Sequence, residues 1–253
     1  MKKIVFLMLF SFTSVFSQIL EIKNIQEIKK YLNKYELVIF DLDNTIMEPI
    51  QELGSDQWFF HQMKKHENSG LDKNVALDET LKDWYEIQAI TKVKLVEKDI
   101  KNILDNLQMK NTQVMGLTTR DYDFSLAAIK QLDSLKIDLS KTAPKKENLY
   151  FKNGVLYKKG ILFAKGIEKG RVLDQFLKKI NFKPKSVIFI DDKLKYLDEV
   201  EKFCKKLKIK FLGLRYGYLD KKVNNLQGFI CDIQHKNLKK ILSDDEAKQL
   251  IAK

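Results

Sequence analysis

Asp41 and Asp43 stand one residue apart in the stretch "VIFDLDNTIMEP" (residues 38–49), directly behind three apolar residues of strand-forming type. A single carboxylate at such a place is an ordinary turn former or helix cap. Two so close repel each other unless a proton or a cation sits between them. Three further places repeat the pattern of a polar group set against an apolar run. In "GLTTR" the hydroxyls of Thr118 and Thr119 precede Arg120; a hydroxyl there either holds an anion's oxygen or caps a helix. In "KGIEKGRVLDQFL" Lys169 stands at the start of a helical pattern, where its ammonium is a point charge for an anion. In "VIFIDDK" a second acidic pair, Asp191 and Asp192, follows an apolar run; together with the first pair it offers hard oxygen ligands to a hard cation. Each site alone has a bland structural reading, and Lys169 alone, in a chain this rich in Lys, means nothing.

The elements that must position these groups are legible as apolar runs of strand length: "ELVIF" (36–40), "TQVMGL" (112–117), "SVIFI" (186–190) and "IKFLGL" (209–214). Their apolarity is continuous rather than alternating, as expected of strands covered on both faces in a parallel sheet. Between them lie helical patterns over 125–135, 171–180 and 193–207, so strand and helix alternate and predict a doubly wound α/β sheet. In such a sheet, ligands bind beyond the carboxyl ends of the strands. Residues 46–110 break the alternation with amphipathic helical patterns and no clear strand, which predicts a helical insertion. Residues 149–166 alternate around Asn153-Gly154, the strongest short hairpin signal, and lead into a further strand near "GILFA".

The four groups in this order are together far more specific than any one of them. Asp-x-Asp-x-Thr after one strand, Thr after the next, Lys at a helix start and Asp-Asp after a later strand resemble the haloacid dehalogenase-like (HAD) superfamily over about residues 36–41, 112–120 and 160–215. Within it the chain is most similar to exported bacterial members and, more distantly, to secreted acid phosphatases. The resemblance implies a Rossmann-like core (18–45 and 111–253) with residues 46–110 as a cap. It implies that Asp41 is a nucleophile forming an aspartyl-phosphate, that Asp43 is the general acid and base, and that Thr118, with Thr119 the runner-up by one residue, binds the transferred group beside Lys169. It further implies Mg2+ held by Asp41, by the backbone carbonyl of Asp43 and by Asp191, with Asp192 in support, and Thr45 bracing the loop after Asp41. The expected activity is hydrolysis of a small phosphorylated substrate. A phosphotransferase, or a binding protein that keeps the fold without turnover, are the alternatives.

The remaining composition bounds this expectation. The chain has 253 residues, 44% hydrophobic and 32% charged, enough for one α/β domain with an insertion. "MKKIVFLMLFSFTSVFSQ" pairs two Lys with an apolar stretch and then small or polar residues, the layout of a signal peptide over 1–17, which predicts export to the periplasm or beyond with no stable membrane insertion after cleavage; an uncleaved N-terminal anchor is the alternative. The net charge is +12, yet only Arg120, Arg171 and Arg215 are Arg among 46 basic residues. Nucleic-acid readers lean on Arg, so no nucleic-acid partner is expected. Arg120 reads either as salt-bridged or as a contact to a second anion, and Trp58, Phe59 and Phe60 as cap core ahead of substrate stacking. His61, His66 and His235 lack zinc spacing. Cys204 and Cys231 are free thiols or a pair.

Overall fold

The structure, a computed structural model, describes residues 17–237 and 242–251. In chain order it comprises β1 (Ser17–Ile22), α1 (Lys29–Leu32), β2 (Leu37–Phe40), β3 (Met47–Pro49), α2 (Asp56–Asn68), α3 (Lys73–Ile90), β4 (Val93–Leu95), α4 (Asp99–Met109), β5 (Gln113–Thr118) and α5 (Ser125–Ser134). These are followed by β6 (Leu149–Tyr150), β7 (Leu156–Lys158), β8 (Ile161–Phe163), α6 (Lys169–Lys179), β9 (Ser186–Asp191), α7 (Leu194–Lys206), β10 (Lys210–Tyr216), α8 (Asp220–Asn224), α9 (Gly228–Lys236) and α10 (Asp244–Ile251). The central sheet has the order β1-β10-β9-β2-β5-β8-β7-β6. Its first six strands run parallel, and the β7 and β6 edge is antiparallel. Strand order reverses around β2, with β9 on one side and β5 on the other, which makes the sheet doubly wound and opens a crevice at the strand ends there.

The continuous apolar runs are explained by burial on both faces. Successive residues of a strand point to opposite sides. Val38 and Phe40 of β2 accordingly join one core with Ile188 and Ile190 of β9, α4 and α5. Leu37 and Ile39 join the opposite core with Val187 and Phe189, α6 and α7.

The structure redraws the insertion in three respects. It holds a short antiparallel pair, β3 with β4, at its base, where no strand was expected. Helix α4, counted by sequence with the insertion, buries Ile100, Ile103, Leu104 and Leu107 in the main core and is part of it. The insertion proper is the α2 and α3 pair, and its own core (Leu53, Trp58, Trp84, Ile87) is completed by Phe124 from the loop after β5 and by Cys231 from α9. A segment near the chain's end thus packs on a segment near its start, which periodicity cannot reveal. Strand β1 was also unforeseen, and Ser17, expected to be the last residue of the signal peptide, is its first residue, paired in register with Phe211. The rest of that signal peptide lies outside the described residues. No helix among the described residues is long and apolar enough to cross a membrane. The hairpin near Asn153-Gly154 forms between β6 and β7, both turn residues having positive φ. A second and tighter one joins β7 to β8 through Lys159-Gly160, where a Cβ on Gly160 would lie 2.4 Å from the Leu139 carbonyl oxygen.

Candidate active site

The carboxyl ends of β9, β2, β5 and β8 bring the four sequence motifs into one crevice. Asp41 extends β2 by one ladder bond, its N–H donating to the Ile190 carbonyl at 2.9 Å, which sets it beside Asp191 at the end of β9. Lys169, the first residue of α6, reaches into the gap and its ammonium donates to Asp41 Oδ1 at 2.6 Å and to Asp191 Oδ2 at 2.7 Å. All three side chains are buried. Asp191 Oδ1 also accepts the Lys193 N–H at 2.8 Å. Gly170 makes this approach feasible: a Cβ there would lie 2.2 Å from the Glu199 carbonyl oxygen, so only glycine lets the start of α6 meet α7 this closely. The Lys169 N–H, an orphan of the helix start, is taken by Glu199 Oε2 at 2.8 Å.

The electrostatics of this cluster leave it short of positive charge. Burial raises the Asp41 carboxyl above its ordinary range, Lys169 pulls it back, and the repulsion of Asp191 and Asp43 adds to the rise. Asp191 is likewise raised by burial against the pull of Lys169. Asp192 is raised well above the usual range by burial and by Asp191, Asp41 and Asp56 together. Burial works against the charge on Lys169, but Asp191 and Asp41 outweigh it and hold the ammonium above its ordinary value. One oxygen from each of Asp41, Asp191 and Asp192 lies within 4.8 Å of the other two, close enough for the three hard oxygens to converge on one hard cation. The Asp43 side chain is not among them.

Asp43 points elsewhere. Arg120 grips it in a bidentate pair, Nε donating to Oδ2 at 2.8 Å and Nη2 to Oδ1 at 2.6 Å. A salt bridge was one of the two expectations for Arg120, but its partner, 77 residues away, was not foreseen. Arg120 is itself braced: Nη1 donates to Gln131 Oε1 at 2.9 Å, and Gln131 Nε2 donates to Gln88 Oε1 at 2.9 Å, so a buried amide chain connects this loop to α3 of the insertion. The Thr118 hydroxyl, buried at the end of β5, accepts the Arg120 N–H at 3.2 Å, which leaves its own O–H to donate. Thr45 is buried in the turn after Asp41, whose backbone is closed by Ile46 and Met47 N–H groups donating to the Leu42 carbonyl.

A family model described as "Protein of unknown function (DUF2608)" matches residues 21–248, from the end of β1 into α10. The chain belongs to the DUF2608 family. A Chlamydia pneumoniae relative, provisionally named an outer membrane protein, is 23% identical over 248 residues, covering 92% of this chain and 90% of its own. A Chlamydia trachomatis relative with the same provisional name is 27% identical over 221 residues, covering 84% and 82%. Among solved structures, a HAD-superfamily hydrolase of subfamily IA from Geobacter sulfurreducens aligns over 74% of this chain and 98% of its own at 12% identity, with a TM-score of 0.42.

Between the core crevice and the insertion of this DUF2608 chain lies a cavity of about 360 Å³. Asp43, Thr119 and Arg120 line it from the strand ends, Phe59, Phe60, Leu77 and Trp84 from the insertion, with Phe124 packed on Trp84, and Tyr196 from the core. Of the three aromatics singled out in sequence, Trp58 is fully buried and stacks on Trp84 with ring centroids 5.9 Å apart, whereas Phe59 and Phe60 face the cavity. Two site neighbours went unremarked in sequence: Lys193, directly after the acidic pair, and Asp56, the first residue of α2, which form an ion pair at 2.5 Å and tie core to insertion. The histidines stand apart from the crevice; His66 and His235 both face Asp83, at 3.2 and 3.8 Å. Cys204 and Cys231 are free and buried in separate cores.

Proposed function

We propose that this protein is an exported, Mg2+-dependent phosphomonoesterase of HAD type. The single observation that carries the reading is the buried Asp41–Lys169–Asp191 cluster at adjacent strand ends, with Asp192 supplying a third carboxylate oxygen. Three carboxylates with one ammonium between them leave excess negative charge in a buried crevice, an arrangement suited to a divalent cation and an anionic substrate. Asp41, Asp191 and Asp192 would hold the Mg2+, which when bound offsets the repulsion between the nucleophile and the phosphoryl oxygens.

Asp41 attacks phosphorus, the bond to the leaving oxygen breaks, and the phosphoryl group passes to the carboxylate as an aspartyl-phosphate. Lys169 and the free O–H of Thr118 donate to the phosphoryl oxygens as their charge shifts. Asp43 gives a proton to the leaving oxygen and later takes one from the water that releases phosphate. For that, its carboxylate must leave the bidentate grip of Arg120, whose fork is shaped for two oxygens of a phosphate as well as for a carboxylate. The same grip favours a second reading, a binding protein whose Asp43 stays locked and which never turns over.

Export is supported by the signal-like start of the chain and by the provisional naming of its chlamydial relatives. The test is a panel of phosphomonoesters assayed on the purified mature protein with and without Mg2+, alongside Asp41→Asn. Metal-dependent phosphate release by the native protein, abolished by the substitution, supports the enzyme. Absence of release across the panel sinks it in favour of the locked binding protein.

A further inference from the structure

The cavity above Asp43 carries information on the leaving group, because whatever departs from phosphorus must project from the crevice into it. This inference rests on the phosphomonoesterase reading. Its walls are mainly rings and aliphatic chains: Phe59, Phe60, Leu77, Leu81 and Trp84 from the insertion with Phe124 packed on Trp84, and Tyr196 from the core. The ring faces are fixed by one another, Phe59 standing edge-on to Trp84 at 5.3 Å and to Phe60 at 5.5 Å.

The charged groups in the lining are largely committed. Asp43 and Arg120 hold each other, Asp56 holds Lys193, and Asp121 accepts the Tyr85 hydroxyl at 2.7 Å. The Thr119 and Tyr196 hydroxyls, the Trp84 Nε1–H and the Lys165 ammonium, all in the lining, lack a hydrogen-bond partner among the described residues. Against walls made mainly of rings and aliphatic chains, a polyol leaving group would leave most of its hydroxyls unsatisfied. A cationic one would meet the unpaired Lys165 ammonium. An apolar cavity of about 150 Å³ is enough for a benzene ring, so a cavity of about 360 Å³ takes one aromatic ring or a fused pair.

We propose that the cavity selects phosphomonoesters whose leaving group is an aromatic ring, packed against Phe59, Phe60, Leu77 and Trp84 of the insertion. The test uses phosphonates, which bind without being hydrolysed, so that recognition is measured apart from chemistry. Affinities of benzylphosphonate, methylphosphonate and 3,4-dihydroxybutylphosphonate are measured by calorimetry in Mg2+ buffer on the native protein and on Phe60→Ala and Leu77→Gln. Both positions are partly solvent-exposed, and melting curves check that each variant is folded.

The native protein is expected to bind the benzyl compound roughly tenfold or more tighter than either other compound, and each variant to lower that ratio by several-fold. Equal affinities, preference for the dihydroxybutyl compound, no binding of any of the three, or a ratio that neither variant moves would each overturn the proposal. Selective benzyl binding in a protein that releases no phosphate from any ester supports the aromatic site and sinks the phosphomonoesterase reading instead.

Discussion

The strand-end crevice and the α2–α3 insertion are built on opposite plans. In the crevice each chemical group follows its own strand or starts its own helix, so its place is set locally and its partners are set by the order of parallel strands. In the insertion nothing is local: Trp58 and Trp84 stack across two helices, and Phe124 and Cys231 arrive from the loop after β5 and from α9. The crevice is a charged cluster that depends on each member for compensation. The insertion is an aromatic cluster that depends on filled volume. Removing one residue should therefore do different damage in each.

The largest effect is expected at Lys169. Lys169→Met leaves Asp41 and Asp191 buried without their cation, and breaking such a cluster costs about 3–5 kcal/mol. Activity should vanish, the unfolding midpoint in urea should fall, and added Mg2+ should restore part of the lost stability by supplying the missing charge. If the variant is as stable as the native protein and indifferent to Mg2+, the charge-deficit account is wrong.

Trp58→Ala should cost a similar amount of stability, about 3–5 kcal/mol, for the contrary reason of a cavity left in the insertion. Trp58 belongs to the insertion's own core, so kcat on a small phosphoester should survive far better than in Lys169→Met. Equal loss of activity in the two variants would show that crevice and insertion are not separable.

The smallest effect concerns the two thiols, one in each region. Burial pushes the Cys204 thiol up to about 12, and the Cys231 thiol is raised beyond the usual range by the same cause. A thiol whose folded value is raised stabilises fully below its unfolded value, near 9, and that contribution is lost as pH rises toward the folded value. Stability should thus decline between about pH 9 and pH 12, and Cys204→Ala should show a shallower decline in pH-dependent chemical denaturation. A thiol reagent at pH 8 should label both cysteines slowly, Cys231 first if the insertion opens apart from the core. Labelling of either thiol as fast as an exposed cysteine would contradict its burial.

The same contrast decides how much was legible in the sequence. The buried strands β2, β5, β9 and β10 and the helices α5, α6 and α7 were legible because an element covered on both sides leaves a continuous or 3.6-period apolar signature. Asp41, Thr118, Lys169 and Asp191 were legible because each adjoins such an element. Strand β1 was not, since its place comes from pairing with β10 at the far end of the chain. Helix α4 was assigned to the insertion because its amphipathic pattern is the same whether it covers a cap or a sheet. The Arg120–Asp43 pair and the Gln131–Gln88 link behind it were invisible for the same reason: the polar residues of a buried network carry no period.

A phosphomonoesterase that uses Asp41 as its nucleophile must carry a bond from Asp41 to phosphorus during turnover. Incubation with acetyl phosphate and Mg2+, an acid quench and peptide mass spectrometry would locate it. One phosphoryl group is expected on the peptide that carries Asp41, absent when Mg2+ is withheld and absent in Asp41→Asn. A native protein that turns over a phosphoester while its Asp41 peptide stays unmodified, or that carries the phosphoryl group on another residue, would contradict it.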